Sequence, residues 1–185
     1  MGNGTGSAGR VKLSELKAGY TFRAGGAAYI VLEHFGNGGT GVIRKEELRE
    51  DMEFGRDNDW KASDVRKFLN GVYLEGLAEA FGAGNIAGHT VDLTSLDGLK
   101  DYGKSTDRVS LLDIDQYRRY REVLNGCLAC FWWLVTPDST PSGIGCSDML
   151  HVAPDGDVGV DMCVGRMYVR PYFVLDSSVL ISAAG

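Results

Sequence analysis

The sequence predicts an α+β fold in which two helices pack on short antiparallel strands joined by long loops. Three observations lead there. Two segments repeat apolar residues at helical spacing, several short apolar runs sit between glycine-rich turns, and the remaining connections are long and irregular.

Over residues 19–34 turn residues alternate with short apolar runs, and Tyr29-Ile30-Val31-Leu32 reads as a buried strand. Gly36-Asn37-Gly38-Gly39 then supplies the positive-φ residues of a hairpin turn, and Gly41-Val42-Ile43-Arg44 returns as the partner. After Trp60, Ser63 is placed to cap a helix. Val65, Phe68, Leu69 and Val72 follow it at i, i+3, i+4 and i+7, an amphipathic stripe. Residues 82–89 form a glycine-rich connection, and Asp92-Leu93-Thr94-Ser95-Leu96-Asp97-Gly98 a tight polar turn between apolar anchors. Asp113 with Gln116 makes a capping box, and Tyr117, Tyr120 and Leu124 mark the buried stripe of a second helix.

Beyond Cys127 the pattern changes. Trp132-Trp133-Leu134 runs into a loop carrying Pro137, Pro141, Gly143 and Gly145. Leu150-His151-Val152 reads as a short strand, Pro154-Asp155-Gly156-Asp157 as a turn, and Val158-Gly159-Val160 with Met162 and Val164 as the returning strand. Val169-Arg170-Pro171-Tyr172-Phe173-Val174-Leu175 is the closing strand, its proline confined to a strand start or edge.

At 185 residues, 44% hydrophobic and 24% charged, the chain supports one core and one domain, expected over residues 11–185 after a flexible tail at 1–10. The longest apolar runs, 27–32 and 127–135, are far too short for a membrane span, so no membrane insertion is expected. The opening residues carry neither the charged start nor the apolar stretch of a secretory signal. A net charge of −6 argues against nucleic acid, whose phosphates need clustered cations. The one basic cluster, Arg118, Arg119 and Arg121 beside Glu122, reads as a solvated helix face.

All four cysteines lie late, at Cys127, Cys130, Cys146 and Cys163. The first two form a Cys-x-x-Cys pair, but no second close pair follows to complete a zinc site, and the pair does not open a helix after a strand. Unpaired thiols, a disulfide and a metal site all remain open readings, with the reduced form the default. His34, His89 and His151 fall in separate elements, and no Ser or Cys lies at a catalytic spacing from any of them. Asp155, Asp157 and Asp161 surround a turn without the register or closing Glu of a calcium loop, and Asp57-Asn58-Asp59 reads as an Asx turn. No catalytic residue, metal or cofactor is therefore expected.

Several segments together resemble a known family. They are Trp60-Lys61-Ala62-Ser63-Asp64-Val65-Arg66-Lys67-Phe68-Leu69-Asn70, the run from Asp92 through Asp97-Gly98-Leu99-Lys100-Asp101-Tyr102-Gly103, and Val109-Ser110-Leu111-Leu112 leading to Gln116-Tyr117-Arg118-Arg119-Tyr120-Arg121. Trp132-Trp133-Leu134 with Thr136-Pro137, then Pro154-Asp155-Gly156, then Val169-Arg170-Pro171 complete the set. In order and spacing, over roughly residues 11–180, these are similar to an uncharacterised domain family of gut Firmicutes and their phages. Some members of that family look like variable proteins of diversity-generating retroelements. Val135, where an Arg is common, and Tyr168, where a Gly is common, depart from its pattern.

The resemblance implies a C-type-lectin-like fold of the formylglycine-generating-enzyme type. Trp132, Trp133 and Arg170 would be scaffold, and residues 136–168 a displayed surface for an unknown protein or cell-surface ligand. It implies carriage by a phage virion, or on a bacterial surface through another protein. Retroelement mutagenesis acts on template adenines. Thr140, Ser142, Ile144, Cys146, Ser147, Asp148, His151, Asp157, Gly159, Asp161, Cys163 and Tyr168 suit codons diversified in this way, whereas Met149, Met162 and Met167 do not. The small and polar residues of this stretch also match the make-up of adaptable binding loops. Two alternatives stand beside this reading: a cysteine-dependent, oxidase-like enzyme by analogy with the formylglycine-generating relatives, and a purely structural phage or surface domain.

Overall fold

The computed structural model describes residues 10–124 and 129–182. Residues 1–9 of the tail expected over 1–10, and Cys127, lie outside the described residues, whereas Arg10 already belongs to the first strand.

The chain begins with β1 (Arg10–Lys12), β2 (Thr21–Ala24), β3 (Ala27–His34) and β4 (Gly39–Arg44). The apolar run foreseen as a strand is the middle of β3, buried throughout from Ala27 to Leu32. Its hairpin with β4 turns on Gly38, whose φ of 85° a side chain would resist. β5 (Met52–Glu53) precedes the first helix, which runs as α1 (Asp64–Phe68), a π-helical turn (Leu69–Tyr73) and α2 (Leu74–Phe81). The Ser63 hydroxyl accepts from the Arg66 amide at 3.1 Å, the expected cap. The expected stripe fails at Val72, which is 70% exposed. The π turn inserts a residue, and Gly71 leaves helical geometry (φ −108°, ψ −111°), so Val72 rotates off the buried face.

Four short strands follow, β6 (Ile86–Ala87), β7 (His89–Asp92), β8 (Lys104–Asp107) and β9 (Val109–Ser110), and then α3 (Ile114–Tyr120). α3 opens with the foreseen capping box, the Asp113 carboxylate accepting from the Gln116 amide at 2.7 Å. Tyr117, Tyr120 and Leu124 are buried as the spacing requires. The last third holds β10 (Trp132–Pro137), β11 (Asp148–Val152), β12 (Val158–Met162), β13 (Arg166–Met167), β14 (Tyr172–Asp176) and β15 (Leu180–Ser182).

The strands form an antiparallel main sheet in the order β1-β15-β2-β3-β4-β14-β6, with β9 also on β14, and a smaller sheet β10-β11-β12. β13 with β5 and β7 with β8 make two-stranded ribbons. The closing strand begins at Tyr172, one residue past Pro171, so the proline removes no donor from the ladder and β14 sits inside the sheet. The chain then continues into β15, which pairs with β1 and sets Arg10 beside Ser182.

Because strand side chains alternate, neighbouring residues enter different apolar layers. One layer gathers Tyr29, Val31, Phe54, Trp60, Trp133, Met149 and Phe173. The other gathers Ile30, Leu32, Tyr117, Tyr120, Trp132, Leu134 and Leu150. The two adjacent tryptophans thus tie both layers to the smaller sheet.

Candidate functional site

The segment joining β10 to β11, residues 138–147, has almost no apolar content, yet its backbone is held at many points. Asn58, itself buried, donates its amide to the carbonyls of Ser139 and Asp148, both at 3.0 Å, and accepts from the Tyr102 hydroxyl at 2.6 Å. Its backbone N–H donates to the Cys146 carbonyl at 2.9 Å. Asp97 accepts from the hydroxyls of Ser95 and Ser139, and the Ser139 hydroxyl in turn accepts from the Ile144 amide at 3.1 Å. Asp101 accepts from the Thr140 hydroxyl at 2.8 Å and the Ser142 amide at 2.9 Å. These donors hold both carboxylates below the usual carboxylate range, led by Ser139 at Asp97 and by Ser142 at Asp101.

The twelve residues expected on this surface divide in three. Ser142, Ile144, Ser147, Asp157 and Asp161 are exposed, Ile144 by 85%. Cys146, Asp148, Gly159 and Tyr168 are half-buried. Thr140, His151 and Cys163 face inward. Thr140 is turned in by its bond to Asp101, and Cys163 sits in the first apolar layer. His151 and Gly159 are direct partners across β11 and β12. The imidazole lies where a side chain at 159 would be, since a Cβ there would stand 2.6 Å from His151 Nε2. Phe131 closes edge-on against the same ring at 5.4 Å.

The three expected scaffold residues lie behind this surface. Trp133 is fully buried and donates its indole N–H to the Met52 carbonyl at 3.0 Å. Trp132 packs edge-on against Tyr117 at 5.8 Å, and the Arg170 guanidinium lies 5.3 Å over its ring. Arg170 Nε donates to the Arg44 carbonyl at 2.9 Å. Burial lowers Arg170 to about 10 against the pull of Glu47, which leaves it cationic at neutral pH.

Asn58, Asp97, Asp101 and Tyr102 were not nominated from the sequence, although they set the loop's shape. Asn58 and Asp97 carry turn chemistry at 57–59 and 92–98, and Asp97, Asp101 and Tyr102 fall in the family-like run from Asp92 to Gly103, but neither signal names their partners. Such a pattern shows that a carboxylate or amide will find backbone partners, but not that the partners lie some forty or more positions away.

Cys130, Cys146 and Cys163 are free. Burial raises Cys130 to about 11, with Glu47 adding to it, and also raises Cys163, so neither is a thiolate at neutral pH. His151 is lowered by burial, and its Nδ1 has no partner. Among the described residues no three His, Cys, Asp or Glu side chains group as metal ligands. A cleft of about 520 Å³ lies elsewhere, on the main sheet, where Phe35, His89 and Tyr172 line it. There His89 Nε2 pairs with the Ser110 hydroxyl at 2.8 Å, the ring meets Tyr172 edge-on at 5.1 Å, and burial lowers its pKa from 6.5 to about 4.

No family model, curated protein or solved structure matches this chain.

Proposed function

We propose that the chain is a ligand-binding module of C-type-lectin-like fold, its surface over residues 136–168 taking a protein or cell-surface ligand and varying by retroelement mutagenesis. The observation that carries this reading is the anchored loop. Asn58 and Asp101 hold the backbone of residues 139–146 directly and Asp97 through the Ser139 hydroxyl, while the side chains of Ser142 and Ile144 stay free of the core. A backbone held from outside accepts new side chains without refolding, which a diversified binding surface needs. A pre-shaped backbone also reduces the ordering cost of binding. The displayed set is then Ser142, Ile144, Ser147, Asp157 and Asp161, bordered by Cys146, Asp148, Gly159 and Tyr168.

The test is an array of host-cell surface proteins and glycans probed with the purified domain. A hit should weaken at least tenfold in Ile144→Asp and remain unchanged in Lys67→Ala, on the exposed face of α1. Copies of the locus from one population should differ at the displayed positions and agree at Asn58, Asp97 and Asp101. Even scatter of changes along the chain, or a ligand indifferent to Ile144→Asp and to the other displayed positions, would defeat the reading.

A further inference from the structure

β12 ends the smaller sheet, and among the described residues no strand pairs with its outer edge. The phase of its ladder is set at both ends, where Ala153 N–H donates to the Asp157 carbonyl at 2.8 Å and Cys163 N–H to the Ser147 carbonyl at 2.7 Å. Alternation then turns the backbone groups of 157, 159, 161 and 163 toward β11, and those of Val158, Val160 and Met162 outward. Met162 spends part of its capacity locally, its N–H on the Asp161 carboxylate at 2.7 Å and its carbonyl on the Gly165 N–H at 2.8 Å. Among the described residues those of Val158 and Val160 meet no partner strand. Their side chains are also uncovered, Val158 by 39%, Val160 by 45% and Met162 by 57%. No lysine or proline guards the strand, although exposed edges ordinarily carry such a guard.

We propose that this edge is the seam of a symmetric dimer, β12 of one copy pairing antiparallel with β12 of a second and centred on Val160. The choice of a second copy rests on the strand's own complementarity. Centred on Val160, each outward residue meets an outward residue: Val160 exchanges both backbone bonds with its twin, and Val158 N–H meets the second lone pair of the Met162 carbonyl, the Met162 N–H staying on Asp161. Gly159 then faces Asp161. Moving the centre to Gly159 sets Asp157 against Asp161, and moving it to Asp161 sets that carboxylate against itself. Like charges directly opposite are unfavourable, and centring on Val158 or Met162 leaves outward residues of β12 without a partner from the strand, so the Val160 register is the one that pairs all three. It joins two three-stranded sheets into one of six and lays an apolar stripe of Val158, Val160 and Met162 from each copy along one face. On the other face, Asp161 of the second copy comes opposite Gly159, over which the His151 ring already lies. Five residues a side make a small interface, so the dimer forms and dissociates with concentration.

Sedimentation equilibrium on the whole chain, from low micromolar to near millimolar, should show the mass rising from one copy to two. Val160→Pro removes only an outward N–H, and Val160→Lys places a charge on the stripe. Both should stay monomeric with unchanged circular dichroism, and if the proline disturbs folding the lysine variant decides. Register is read by oxidation. Val160→Cys should cross-link to its twin, because hydrogen-bonded partners about 5.5 Å apart suit a disulfide, whereas Val158→Cys, facing Met162, should not exceed the wild-type background. A wild-type chain monomeric throughout, a dimer that survives Val160→Lys, or equal cross-linking at 158 and 160 would overturn the proposal. None of these outcomes depends on whether the module has a ligand.

Discussion

At Asn58 one buried amide joins both ends of the loop between β10 and β11, reaching the carbonyls of Ser139 and Asp148. Asn58→Ala would strand both carbonyls and the Tyr102 hydroxyl. The expected cost is about 2–3 kcal/mol in a denaturant titration, together with faster proteolysis confined to residues 138–147. Gly159 sets a different limit. A methyl group there would run into a His151 ring wedged against Phe131, so Gly159→Ala should destabilise by about 1 kcal/mol. Shrinking His151 to Ala should recover most of that loss, visible as coupling in a double-mutant cycle. The two positions share one volume, so a large side chain at one requires a small one at the other.

Elements show where local pattern suffices. The β3–β4 hairpin, the capped start of α1 and the capping box of α3 each rest on residues within four positions of one another, and each is legible in the sequence. The π turn is not. Val65, Phe68, Leu69 and Val72 fit a regular helix, and the departure at Gly71 appears only once Tyr73 and Leu74 must reach the first apolar layer. Two substitutions test the shifted phase. Leu69→Ala, at a fully buried position, should cost about 2–5 kcal/mol, whereas Val72→Lys should lie within about 0.5 kcal/mol of wild type. Similar losses at both positions in thermal melts would mean an unbroken helix. The same limit applies to the site: the sequence marks residues 138–168 as weakly patterned, but inward and outward side chains separate only once Asp101, Gly159 and the first apolar layer are in place.

For the whole molecule, acid is the condition that separates these contributions. His89 is held neutral, its pKa lowered by burial from 6.5 to about 4, and His151 is shifted the same way. A base with a depressed pKa contributes stability that is intact above about 6.5 and drains away as pH falls toward 4, on the order of 3 kcal/mol for His89. The lowered carboxylates Asp97, Asp101 and Asp107 lose theirs at still lower pH. Melting temperature should therefore fall in two stages on acidification, and His89→Gln should flatten the first. An unchanged slope between pH 6.5 and 4 in that variant would count against a buried neutral imidazole.

Arg10 and Ser182 are cross-strand neighbours at the rim of the main sheet. Polypeptide therefore enters and leaves through one doorway, and a host protein could carry the fold as an insert in a single surface loop, two short tethers sufficing. The same proximity makes the fold a ready subject for circular permutation, with new ends opened at the Gly36–Gly39 bend.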